Sequence, residues 1–493
     1  MAETTSEATG AVASEPIRPG DYGTRVGTVE PGGIEFIQLT ERHGSPLQLL
    51  WTWTSPNLEF ATIFVGVLAV AVFGLPFWQA ALALVLGNVL GSVAQGVLSA
   101  RGPSYGVPQM VLSRVAFGHW GNVLPAGLMS LTAGIGWFAV NSVSGAFALA
   151  ALTGMPTLLG LVIIVVVQIG VAFFGHNLVQ VFEKYALVFL GIVFAITTVV
   201  MFTKAHPGAA ETPLPGGFLL TAGAAFGYAA GWNPYASDYT RYLAPTVNRR
   251  LVGLWAGLGI FVSCVVLEVV GAAAVTAVGA KSFDLDNPTS SFTGQLPTVL
   301  ADLTLLAIAL GAVSANVLNI YSGAMSFLTL GFKLPLALRR AVVALAFGVI
   351  GFFLAWSGLS DAGTKYENFL LVIAYWIGPW LGVFFADQFI RRGKRVDSLL
   401  YAKWYQNWAG PVAMLVAIVA SILLFSNQTD FAGYIVKQVP GIGDITFLVG
   451  FLLAALIYAA LYPLLGGNRT TPPGQPQDAV TGPSPDVVSS PEG

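Results

Sequence analysis

Blocks of about 20 mainly apolar residues recur along the chain, separated by short polar stretches. That is the length a helix needs to cross a bilayer core of roughly 30 Å. The pattern predicts twelve membrane-spanning helices near residues 49–74, 77–99, 122–152, 157–175, 185–203, 217–236, 250–279, 299–330, 338–356, 363–390, 409–426 and 445–465, termed spans one to twelve. Residues 1–47 are polar and lack the short apolar stretch of a cleavable signal, which predicts an N-terminal cytoplasmic segment. Residues 466–493 are rich in Pro, Ser and Gly and predict a disordered cytoplasmic tail. Both ends are expected to be dispensable for the chemistry.

Composition agrees with the pattern. The chain is 55% hydrophobic and 9% charged, against roughly 25% charged in an ordinary soluble domain. The expectation is an all-α integral membrane protein. With the twelve spans in place, Lys204, Lys281, Lys365 and Lys437 fall on one side of the membrane. The remaining 18 of the 22 lysines and arginines fall on the other, with both termini. The positive-inside rule makes that side cytoplasmic, in a multi-pass protein of the cell membrane.

Two spans are interrupted. Span one contains "WTWTSPNLEF" (51–60) and span six contains "GWNPYASDY" (231–239). Proline removes a backbone donor and clashes with the preceding turn, so each helix opens where no water can satisfy its backbone. The two spans run in opposite directions, and paired interrupted helices in inverted halves point to a transporter's binding site. Ordinary proline kinks are the plainer reading, yet two at one repeat's separation, each with polar neighbours, favour a site. The opened backbone is expected to serve ligand and ion.

Other polar residues should converge there. In span three, Trp137 and Asn141 are four apart and share a helix face, suited to stacking a flat heterocycle and pairing with its edge. In span eight, Ser314, Asn316 and Asn319 interrupt an apolar helix and should face the bundle interior, as a site or as interhelical hydrogen bonding. Gly223, Gly227 and Gly231 form a stripe on span six that allows another helix to approach closely. Glu59, after the first break, and Glu268, within span seven, are each coupling-proton candidates or structural hydrogen bonders. Asp238 and Arg241, just past span six, are candidates for an inner gate or an interfacial ion pair.

The remaining composition excludes other classes. Cys264 is the single cysteine, so no internal disulfide and no multi-cysteine metal site can form. His43, His119, His176 and His206 show no metal-ligand spacing, and no Gly-rich nucleotide loop is present. No metal, cofactor or nucleic-acid partner is expected, no enzyme constellation appears, and transport driven by an ion gradient remains. A channel or receptor is a rival class, against which the broken, inverted helices argue. The oligomeric state is not legible.

"GPSYGVPQMVLSRVAFG" (102–118), "GWFAVN" (136–141), "GWNPYASDYTRYL" (231–243) and "NIYSGAMSFLTLG" (319–331) closely resemble the purine/cytosine permease branch of the nucleobase:cation symporter-1 family. The resemblance implies a LeuT-type five-plus-five inverted repeat, with spans one to five (48–203) and six to ten (217–392), and two further helices (408–465). It implies alternating access and symport of a nucleobase, purine or cytosine, with H⁺ or Na⁺. The alternative is the same machine for allantoin, hydantoin, uracil or a vitamin. By the same resemblance Trp137 and Asn141 match the stacking aromatic and its polar partner. Trp232 matches the aromatic of the sixth helix, with Phe226 or Tyr228 in its place if the alignment slips. Asn316 and Asn319 match the amides that read the base edge, and Ser55 to Asn57 should supply backbone contacts. Sodium-coupled relatives use first-helix carbonyls, an eighth-helix carbonyl (here Gly311 is the candidate) and two consecutive hydroxyls. Here that pair is Ser314 and Ala315, and Ala315 has no hydroxyl, which favours a proton carried by Glu59 or Glu268.

Overall fold

The computed structural model describes residues 22–469 apart from 210, 333–338, 361, 393 and 395. The predicted tail from residue 470 onward lies outside the described residues. Among those described, the chain is helical throughout, with one isolated β-bridge between Asn427 and Ala432. Seven helices are long and apolar enough to cross a membrane, eight if the bent pair in span one counts once; three further apolar helices are shorter.

Span one is Gln48–Thr54, a 3₁₀ turn at Ser55–Asn57, and Phe60–Ala71, bent by 57°. Glu59 is extended (φ −152°, ψ 176°), so the helix stops and restarts. Span six is Gly217–Ala230, a 3₁₀ turn at Asn233–Tyr235, and Ala236–Thr240. Both interruptions lie where the sequence places Pro56 and Pro234. The other long helices are Phe77–Ser99, Thr157–Phe174, His176–Lys204, Arg249–Val278, Thr298–Thr329, Arg339–Gly358 and Ala362–Ile390, followed by Ala409–Phe425 and Thr446–Leu461. Span three runs Val123–Thr153 with a π-helical stretch at Thr132–Trp137 that the sequence does not announce. Such wide turns favour functional sites, and this one ends at Trp137.

Span five departs from expectation. Its helix begins at His176, nine residues before the apolar block, after Gly175 (φ 104°) ends span four. His176, Asn177 and Glu183, read from sequence as loop, are buried in this first part of the helix.

Outward faces of spans two, four and five carry exposed Leu82, Leu86, Val166 and Val188, the apolar surface a lipid solvent requires. Inside, backbones approach closely. Of the three span-six glycines, Gly227 is the one the packing demands: a Cβ there would meet the Leu370 carbonyl of span ten at 2.4 Å, whereas Gly223 has ordinary clearance.

Residues 22–47 of the N-terminal segment pack against the helices, while residues 1–21 lie outside the described residues. Glu30 is buried and pairs with Arg241 at 3.4 Å. It also accepts from the hydroxyls of Tyr242 and Tyr321 (3.2 Å for the latter), while Arg241 donates to the Gly33 carbonyl at 2.9 Å.

Candidate substrate site

The two interruptions meet. The indole N–H of Trp232 donates to Oδ1 of Asn57 at 2.9 Å, and Trp53 packs edge-on to Trp232 with ring centroids 5.8 Å apart. Span three and span eight close the other sides. The resulting pocket is lined by Trp137, Asn141, Tyr228, Gly231, Trp232, Tyr235, Ala315 and Asn319. It encloses about 10 Å³, room for about one water. A heterocycle therefore enters only after these walls move apart.

Its polar groups currently satisfy one another. Asn316 donates to the Phe138 carbonyl (2.8 Å) and to Ser142 (3.1 Å), and its Oδ1 accepts from Asn141 (3.1 Å) and Asn319 (3.0 Å). Asn319 accepts from the Tyr235 hydroxyl at 2.6 Å. Asn316 is thus behind the pocket wall, holding Asn141 and Asn319, which reach the pocket. Trp137 has the edges of Tyr228 (5.4 Å) and Phe369 (5.0 Å) against its ring. Phe369 and Tyr366 of span ten separate it from a second, apolar cavity of about 230 Å³, which Phe60, Phe64 and Ser144 also line.

The other candidate residues have partners outside the pocket. Phe226 faces away from the pocket and stacks on Phe447 of span twelve at 4.7 Å. The Ser55 hydroxyl lies within hydrogen-bond reach of the carbonyls of Trp51 (2.7 Å) and Glu183 (2.8 Å), one of which its single proton serves, so its side chain addresses span five. Asn57 braces the break by donating to the Trp53 carbonyl at 2.7 Å. Asp238 and Arg241 do not pair with each other. Asp238 accepts from the Gln109 backbone N–H at 2.9 Å, holding the start of the helix Gln109–Phe117, while Arg241 binds the N-terminal segment.

The acids fall into two groups. Glu59 accepts from Ser144 at 3.3 Å and from Tyr228 at 3.5 Å, and Tyr228 lines the pocket. Gly311 of span eight lies against this turn: a Cβ there would meet the Leu58 carbonyl at 2.3 Å. Glu268 accepts from Asn88 of span two at 2.5 Å, a contact between spans two and seven, and its Oε1 is buried without a partner. The residue that sequence reasoning missed is Glu183. It is fully buried, its Oε2 accepts from Ser314, and its Oε1 has no partner. It thereby stands where Ser55 of the first break and Ser314 of span eight converge. A polar run, "HNLVQVFEKY", ahead of the apolar block hid it. Tyr235 and Phe369 were also missed; Tyr235 sits inside the interruption motif itself. Among the described residues no group of three or more His, Cys, Asp or Glu side chains could hold a metal.

Two broken helices clasped around a small polar pocket in an apolar helical bundle define a membrane transporter. The chain belongs to the family of permeases for cytosine/purines, uracil, thiamine and allantoin, whose profile matches residues 37–450. These are transporters, not enzymes. It is 29% identical over 458 residues to the purine-cytosine permease fcyB of Emericella nidulans, covering 88% of each chain. It is 28% identical over 450 residues to the putative purine-cytosine permease YxlA of Bacillus subtilis, covering 88% of this chain and 96% of that one. The fold is also that of Mhp1, a nucleobase-cation-symport-1 family transporter solved in a closed conformation with bromovinylhydantoin bound. The TM-score is 0.70, with 19% identity over 89% of this chain and 96% of Mhp1.

Proposed function

We propose that this protein imports a nucleobase, purine or cytosine, across the cell membrane by proton symport through alternating access. The observation that carries the reading is the meeting of the two interrupted helices at a pocket bearing Trp137, Asn141, Trp232 and Asn319. Indole faces stack a planar base, and carboxamides pair with its donor and acceptor edge. Tyr228 and Tyr235 complete the wall, and Asn316 orients the two reading amides. The permease relatives support the substrate class. Relatives named as a vitamin B6 transporter of Saccharomyces cerevisiae and an allantoin permease of Bacillus subtilis, each 25% identical, support a second reading, another small heterocycle.

The frame of this reading is twelve spans with both termini cytoplasmic: an inverted pair of five-span repeats over 48–203 and 217–392, then two helices over 408–465. Coupling to H⁺ rests on chemistry. Ala315 removes one hydroxyl from a sodium cage, and the Glu183 carboxylate lies against Ser314 beside the first break. A buried carboxyl that is protonated on one side of the membrane and released on the other needs no oxygen cage. Glu59 links to the pocket through Tyr228 and is the second proton candidate. Phe369 and Tyr366 form the outer cover over Trp137. Arg241, Glu30 and their tyrosine partners form the inner closure.

The test is uptake of labelled cytosine, adenine and hypoxanthine in transporter-deficient cells, followed by vesicles with imposed Na⁺ or pH gradients. Saturable uptake driven by an inward pH gradient is expected. Absence of saturable uptake of any nucleobase, allantoin or hydantoin would overturn the assignment, and Na⁺-driven uptake would overturn the coupling.

A further inference from the structure

A cavity of about 440 Å³, sharing no lining residue with the pocket, lies between the chain that follows span two and the end of span ten. Its wall carries Arg101, Gln388, Arg391, Arg392 and Lys394, with Asp387 as its carboxylate. Asp387 is already committed: its Oδ1 accepts from Arg391 Nε at 2.8 Å and from the Tyr458 hydroxyl at 2.5 Å. Arg101, Arg392 and Lys394 have no carboxylate partner among the described residues. Three unneutralised cations around one concavity set a positive potential that favours an anion there.

Two buried donors point the same way. Arg391 is 4% exposed, and its Nη1 is buried without a hydrogen-bond partner, as is Nε2 of Gln388. Buried polar groups are nearly always paired, so two orphaned donors in one cationic wall call for an acceptor. Leu112 and Phe384 add apolar wall to the same cavity. In the proposed topology the cavity lies at the cytoplasmic membrane face, where anionic lipids concentrate and basic pockets between helices take their headgroups.

The geometry points to a binding site for a phosphate-bearing anion, supplied in the membrane as the headgroup of an anionic phospholipid. The phosphate oxygens accept from Arg391 Nη1 and Gln388 Nε2, and the three free cations neutralise its charge. The glycerol end lies along Leu112 and Phe384. The bound anion ties the loop after span two to the end of span ten.

The experiment uses the purified full chain in mixed micelles. Phosphatidylglycerol, phosphatidylcholine and millimolar inorganic phosphate are titrated in separate arms, read by native mass spectrometry and by melting temperature. The variant is Arg392→Gln with Lys394→Gln; both residues are exposed, so the fold tolerates the change. Arg250→Gln, another exposed cation, is the control. Wild type should prefer phosphatidylglycerol over phosphatidylcholine, and the double variant should lose roughly tenfold or more of that affinity while the control keeps it. Stabilisation by inorganic phosphate alone, lost in the double variant, supports the same site with free phosphate as its source. Equal binding of both lipids by wild type, or undiminished phosphatidylglycerol binding by the double variant, overturns the proposal. Uptake is not the readout, so failure here leaves the transport assignment standing.

Discussion

The Trp232 indole N–H and the Asn57 side-chain oxygen, 2.9 Å apart, join the interruption of span six to that of span one. Both residues are buried. Asn57→Ala leaves the indole donor without its partner, a loss of roughly 1–3 kcal/mol. The KM for the labelled base should rise about tenfold or more at unchanged membrane expression; an unaltered KM would separate the clasp from binding.

Trp137→Ala and Asn316→Ala should each abolish uptake while the protein still reaches the membrane. The first removes the stacking face. The second releases Asn141 and Asn319, since Asn316 holds both. Phe226→Leu, by contrast, changes a ring packed on Phe447 outside the pocket, so uptake kinetics should stay near wild type. Initial-rate uptake with surface quantification distinguishes the three.

Glu183→Gln keeps a hydrogen-bonding side chain beside Ser314 but cannot release a proton. Exchange of labelled for unlabelled base across the membrane should persist, because it needs no net proton movement. Accumulation driven by a pH gradient should disappear. Accumulation that survives in Glu183→Gln and is lost in Glu59→Gln would move the coupling role to Glu59.

Gly311→Ala places a methyl group 2.3 Å from the Leu58 carbonyl and 2.6 Å from the Glu59 Cβ. Neither can yield without shifting the first break. Overpacking of this kind costs about 1–3 kcal/mol. A lower melting temperature in detergent and much reduced uptake should appear together, and a variant with wild-type values of both would remove the close contact from the account.

Glu30→Gln leaves the Arg241 guanidinium without its carboxylate in a buried setting. Removing one partner of such a pair costs roughly 3–5 kcal/mol. The variant should melt earlier. A Ser322→Cys reporter, at a position buried on span eight, should react faster with a cytoplasmic thiol reagent in the Glu30→Gln background than alone. Equal reactivity would show that the N-terminal segment does not seal the inner face.

Much of the bundle was legible because its signals are local. Apolar blocks of membrane length, prolines at 56 and 234, and the four-residue step from Trp137 to Asn141 are written in adjacent residues. Span five shows the limit. Its polar opening from His176 to Glu183 reads as loop because hydropathy averages along the chain, whereas burial there comes from contacts with remote partners such as Ser55 and Ser314. The N-terminal segment misled for the same reason: its glutamates look solvated until Arg241, more than 200 residues away, is brought to Glu30.

Periodicity and helix-breaking residues alone determined that this is a membrane bundle with two opened helices, and put Trp137, Asn141, Asn316 and Asn319 forward for a planar ligand; the resemblance added Trp232, Phe226 and Tyr228. Which of them do meet, and how, was decided by the tertiary structure. Asn316 stands behind the pocket and Asn319 at it, Phe226 turns away, and Glu183 joins Glu59 at the first break while Glu268 meets Asn88. A helix face specifies only a direction. The partner found along that direction is set by packing between segments distant in the chain, which no local pattern records.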